Sequence, residues 1–200
     1  MRTLLLTLFL AYALAGCATT AEQANERAAL NKQEVELLNA APCCTALSSL
    51  RYVDIRSGRS DVFPINASTP IILAENGRSH ALGFRVPPRQ ATTYLTVRAF
   101  GAGSIMAHSM APFLPAFLFL NDDGTPIESR VPLTIRPVKA DWVDRPSLEA
   151  TIELPPSSVA TRIVVYTRPE NVNRRSPVIV DIGVFLVPNG IYGSVRAILP

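Results

Sequence analysis

Leu148-Glu149-Ala150-Thr151-Ile152-Glu153-Leu154 (LEATIEL, residues 148–154) alternates apolar and polar side chains without a break. Successive side chains of a strand point to opposite faces, so Leu148, Ala150, Ile152 and Leu154 share one side and the polar residues the other. HALGFRV (80–86) repeats the pattern with His80, Leu82, Phe84 and Val86. VPLTIRPV (131–138) repeats it with Val131, Leu133 and Ile135, and Pro132, which has no amide to donate, marks an edge strand. TYLTVRAF (93–100), AFLFLN (116–121), TRIVVYT (161–167), VIVDIGVFLV (178–187) and YGSVRAIL (192–199) are further strand candidates. The most apolar of these are expected to be buried on both faces. NDDG (121–124) is turn chemistry between two of them.

All 17 prolines lie between Pro42 and Pro200, which leaves little uninterrupted chain for packed helices. Short strands with turn signals at near-regular spacing predict an all-β domain, a jelly-roll-like β-sandwich, over 43–200. One internal echo points the same way. FRVPPRQATTYLTVRAF (84–100) and IELPPSSVATRIVVYTR (152–168) each place a Pro-Pro after a strand and a threonine, Thr93 or Thr161, five residues later. Two prolines hold the exit of a strand extended, and a short loop can then carry the chain across a sandwich.

The N-terminus reads differently. MRTLLLTLFLAYALAGC (1–17) has a basic residue at Arg2, a run from Leu4 to Leu14 that is apolar except for Thr7, and small residues before Cys17. That is the layout of a secretory signal, too short to cross about 30 Å of hydrocarbon. Leu14-Ala15-Gly16-Cys17 resembles a bacterial lipobox. The resemblance implies removal of residues 1–16, acylation of Cys17, and stable anchoring through more than one chain. Ala18, not aspartate, follows the cysteine, which in the usual sorting rule favours the inner leaflet of the outer membrane, facing the periplasm. Residues 17–42 then form a lipidated helical or flexible tether. Thr19 and Glu22 fit a capping box, Leu30, Leu37 and Leu38 give a thin apolar stripe, and Pro42 stops the helix.

Cys43 and Cys44 remain, in a compartment where disulfides persist. They can close a strained vicinal ring, pack as two reduced apolar residues, or pair with a partner protein. The formal charge of +3 falls to +2 once Arg2 is removed, too mild for a nucleic-acid footprint.

CCTALSSLRYVDI (43–55), ENGRSHALGFRVPP (75–88), APFLPAFLFLNDDGTPI (111–127) and LEATIELPP with TRIVVYTRPE (148–170) together resemble the maltose operon periplasmic protein family. The resemblance covers most of 43–170 and leaves the last 30 residues unmatched. It implies a β-sandwich that assists carbohydrate transport, of the maltose or maltodextrin kind, or glycan handling, without catalysis and without a cofactor. Binding of a glycan or of a transport protein goes with that role. A structural or assembly lipoprotein that binds another envelope protein is the alternative.

Candidate sites are few. His80 follows Ser79, but neighbours on a strand face opposite ways and cannot form a nucleophile–base pair, so a solvated or capping role is expected. His108 lies in a loop with no further His or Cys at ligand spacing, which gives no metal site. Asp181 interrupts an apolar run, either as a buried carboxylate with a cationic partner or where a strand meets water. KADWVDRP (139–146) carries the lone tryptophan, Trp142, with Asp141, Asp144 and Arg145. An aromatic face can cover a pyranose while carboxylate and guanidinium take its hydroxyls. These four are the candidate glycan ligands.

Overall fold

A computed structural model describes residues 24–25, 28–44, 46–103, 110–130, 134–140, 144–157, 159–172 and 174–200. It is an all-β sandwich with one short helix before it.

One layer is a six-stranded sheet. Its order is β1 (Tyr52–Asp54), β4 (Gly77–Arg85), β10 (Arg162–Tyr166), β6 (Ala116–Leu120) and β7 (Pro126–Arg130), with β3 (Ile71–Ala74) paired to the first half of β4. The β1–β4 pair is parallel and the rest antiparallel. The other layer is a five-stranded antiparallel sheet in the order β2 (Gly58–Ile65), β13 (Gly193–Leu199), β5 (Thr93–Gly101), β9 (Ser147–Leu154) and β8 (Thr134–Val138). A separate hairpin joins β11 (Arg175–Val180) to β12 (Gly183–Pro188).

The inner faces meet in a core that includes Phe84, Phe117, Phe119 and Ile163 from the first sheet and Leu95, Val97, Ile152 and Val195 from the second. Each of these is at most 1% exposed, and burying such a side chain stabilises by roughly 1.5–3 kcal/mol. LEATIEL is β9, with its four apolar residues buried inward. β8 closes the sheet as an edge strand, as Pro132 predicts, although Pro132 itself lies outside the described residues.

Both Pro-Pro links cross the sandwich. The first carries the chain from β4 to β5 and the second from β9 to β10, each changing sheets. The two loops lie side by side and are tied to each other. Val86 donates its amide to Thr161 O at 3.0 Å, Ser157 to Arg89 O at 3.0 Å, and the Arg89 guanidinium reaches Ala160 O at 2.7 Å.

The strands AFLFL and RIVVY are buried on both faces, as their composition predicts. Phe117, Phe119, Ile163 and Val165 enter the main core, while Ala116, Leu118, Leu120, Val164 and Tyr166 form a second cluster on the far side of the sheet. The segment between the cysteines and β1 covers that side. Cys44, Leu47, Leu50 and Tyr52 pack into it, with a 3-10 turn at Leu47–Ser49.

VIVDIGVFLV departs from the expectation of a strand buried on both faces. It folds as the β11–β12 hairpin, with Asp181 and Ile182 at its turn. Gly183 stands next, at φ +150°, where a side chain is disfavoured. Ile182, Val184 and Leu186 are 81%, 64% and 61% exposed. Helical residues among those described are 24–25 and 28–39. Of the predicted stripe only Leu37 is buried, against Ile71 and Ile191, while Leu38 faces outward.

Candidate functional site

Inward-facing apolar residues on the five-stranded sheet force their neighbours onto the opposite, outer face. Register then aligns those neighbours in rows. Arg136 on β8 stands opposite Glu149 on β9, Glu149 opposite Arg98 on β5, and Arg98 opposite Arg196 on β13. Arg59 joins from β2, in the row beside them, opposite Ile198. The four guanidiniums therefore come from four strands, and the sheet alone brings them together.

Two carboxylates bind this row. Glu149 accepts from Arg98 Nε at 3.0 Å and from Arg136 Nε at 2.8 Å. Asp144, in the loop before β9, reaches over the sheet and accepts from Arg196 Nη1 at 2.6 Å, Arg98 Nη1 at 3.1 Å and Arg59. Burial would raise the pKa of Asp144, but the Arg196 hydrogen bond and the charges of Arg196 and Arg59 outweigh it and hold the carboxyl below its ordinary value. Glu149 is likewise lowered, its burial outweighed by hydrogen bonds from Arg136 and Arg98. Both are ionised at neutral pH. The Arg196 guanidinium also lies over the Phe100 ring, 5.5 Å from its centroid, and helps to bury this outer-face aromatic.

Beside the row lies an open depression of about 320 Å³, lined by Val62, Pro64, Gly101, Ala102, Arg145, Gly193 and Ser194. Gly193 makes the close strand approach there possible: a Cβ would sit 2.4 Å from Phe100 O and 2.9 Å from Phe113 Cβ. Arg145 is exposed and has no ion-pair or hydrogen-bond partner among the described residues.

Of the predicted glycan ligands, Asp144 and Arg145 are on this face and play different parts. Asp144 is a buried organiser of arginines, and Arg145 borders the depression. Trp142 and Asp141 lie outside the described residues, as do Cys17 and His108. Cys43 and Cys44 are joined as a vicinal disulfide where the chain enters the domain, and the Cys43 amide donates to Ile71 O at 2.8 Å.

His80 is buried rather than solvated. Its Nδ1 lies 2.8 Å from Thr69 O, so that nitrogen carries the proton, and its ring leans on Tyr192. Burial lowers its pKa, only partly offset by the Thr69 bond. Ser79 turns the other way and accepts from the Thr167 amide. Asp181 is exposed at the hairpin turn and pairs with Lys139 at 2.7 Å. Among the described residues no group of three His, Cys, Asp or Glu is placed to hold a metal ion, and no helix is long and apolar enough to cross a membrane.

The arginine row escaped sequence reading. Arg98, Arg136 and Arg196 each appear as one polar residue in an alternating strand, and only the pairing register shows that they align. Comparison with known protein families, curated proteins and solved structures finds no match.

Proposed function

We propose that this chain is a non-catalytic binding lipoprotein of a bacterial envelope. Acylation of Cys17 holds it at the inner leaflet of the outer membrane, and its sandwich serves carbohydrate transport or glycan handling. The lipobox supports the address. The resemblance to the maltose operon periplasmic protein family supports the carbohydrate direction. The structural observation that carries the reading is the outer face of the five-stranded sheet, where Arg98, Arg136, Arg196, Asp144 and Glu149 stand beside an open depression. Planar guanidinium and carboxylate groups fixed by one another are suited to the hydroxyl pairs of a sugar ring, because little side-chain entropy is lost on binding. Trp142 stands two residues before Asp144 in the chain and is the aromatic candidate.

The test is calorimetric titration of the full chain, in neutral detergent, with maltooligosaccharides and a panel of envelope glycans, with Trp142 fluorescence read in parallel. The proposal expects saturable binding, a fluorescence shift, and loss of affinity in Trp142→Ala. Silence across the panel would contradict it.

A second reading rests on a different observation. The β11–β12 hairpin presents Ile182, Val184 and Leu186 to solvent, a contiguous apolar surface suited to another envelope protein. Co-purification with such a protein that survives Trp142→Ala and is lost in Ile182→Ser/Leu186→Ser would select it.

A further inference from the structure

We propose that the depression between β2, β13 and the loop before β9 takes an oxyanion, a carboxylate or phosphate group carried by the glycan. The inference rests on the glycan-binding reading and narrows its ligand class.

Three independent features converge there. The first is charge. Arg59, Arg98, Arg136, Arg145 and Arg196 gather on one face against the carboxylates of Asp144 and Glu149, with Glu153 further along β9, opposite Tyr94. Asp144 and Glu149 are consumed within the row, and Arg145, at the rim of the depression, has no partner among the described residues. The cluster therefore keeps a positive excess beside a concave, partly apolar surface, where water screens it less than on a flat one.

The second is a set of unmet hydrogen bonds. Ser194 lines the depression, is 7% exposed, and its covered hydroxyl has no partner. Two strand positions further on, on the same face, Arg196 Nε is also covered and unpartnered, although its Nη1 holds Asp144. Buried polar groups are rarely left unpaired. Both can donate, and Arg196 Nε can only donate. An acceptor-rich group in the depression answers the Ser194 hydroxyl beside the charge of Arg145, and an oxyanion does so with its own charge matched.

The third is rigidity. Asp144 pins Arg196, Arg98 and Arg59, and Gly193 leaves no room at the floor for a larger residue. The wall beside Ser194 is thus fixed before a ligand arrives, and Arg145 is the group left free to close on it.

The experiment is titration of the full chain with four probes: maltotriose, tri-galacturonate, glucose 6-phosphate and inorganic phosphate. It is repeated in Arg145→Ala, Arg145→Lys and Ser194→Ala, with thermal melting as the control for folding. An acidic sugar should bind at least about tenfold more tightly than maltotriose, the worth of one charge-assisted hydrogen bond. Arg145→Ala should remove that preference, Arg145→Lys should restore part of it, and Ser194→Ala should weaken acidic-sugar binding severalfold. Affinity should fall with added salt. Preference for tri-galacturonate names a carboxylate, and preference for glucose 6-phosphate names a phosphate. Equal affinity for maltotriose with no effect of Arg145→Ala would overturn the anion site and leave the glycan reading intact. Inorganic phosphate bound as tightly as either acidic sugar would keep the anion site and overturn the glycan reading. No binding by any probe would overturn both.

Discussion

On the six-stranded sheet, Leu118, Leu120 and Val164 turn away from the core into a second apolar layer, closed by Leu47, Leu50 and Tyr52. At the equivalent depth on the five-stranded sheet, Arg98, Glu149 and Arg196 turn away from the same core and toward one another and Asp144. One outer face is roofed by apolar side chains of the entering chain, and the other carries paired charges with Asp144 reaching over part of it. The hairpin is a third case, because β12 is as apolar as β10 and nothing among the described residues roofs it. Burial on both faces therefore follows from whether a covering segment exists, and composition alone does not decide it.

The largest effect should come from removing the roof. Leu50→Ala, at a site 4% exposed, should cost about 2–5 kcal/mol, whereas Thr96→Ala on the open face should stay within about 0.5 kcal/mol. Denaturant midpoints of the two variants measure the contrast, and equal losses would break it.

Next is the arginine row. Glu149→Ala leaves Arg98 and Arg136 facing each other without their shared anion. Breaking a buried pair costs about 3–5 kcal/mol, but Arg136 is 70% exposed, so about 2 kcal/mol is expected. Acid should act on the same row. Asp144 and Glu149 have folded pKa values below their unfolded ones, so their contribution is complete above about pH 5 and fades as pH falls below about 4. His80 acts earlier. Its folded pKa is also depressed, so its neutral, buried form stabilises above about pH 6.5 and that contribution is lost as pH falls from there. Melting temperature against pH should show two declines, the upper one absent in His80→Gln. A single decline near pH 4 would remove the role assigned to His80.

The smallest effect belongs to the hairpin. Ile182→Ser and Leu186→Ser should each change stability by less than about 0.5 kcal/mol, because those side chains are already in water. A larger loss would mean that the hairpin is covered after all.

The sandwich was legible because strands such as LEATIEL carry their burial in a period of two, visible within seven residues. The paired Pro-Pro links were legible for a similar reason, since proline fixes the backbone locally. The hairpin was harder. Its apolar run hides a turn at Asp181-Ile182-Gly183, and the exposure of β12 depends on what fails to cover it. The arginine row was least legible, because Arg98 and Glu149 meet across 51 residues and Arg196 and Asp144 across 52. Asp144 and Arg145 stood out in the sequence only through their nearness to Trp142. Their separate parts, one organising arginines and one at a depression, needed β13 and β2 beside them.

The most direct test of the open face as the working surface is an amide chemical-shift map of the full chain titrated with the acidic and neutral sugars. The account predicts shifts centred on Val62, Gly101, Trp142, Arg145, Gly193, Ser194 and Arg196, with the β11–β12 hairpin silent. Shifts centred on Ile182 to Leu186, with that face unmoved, would contradict it.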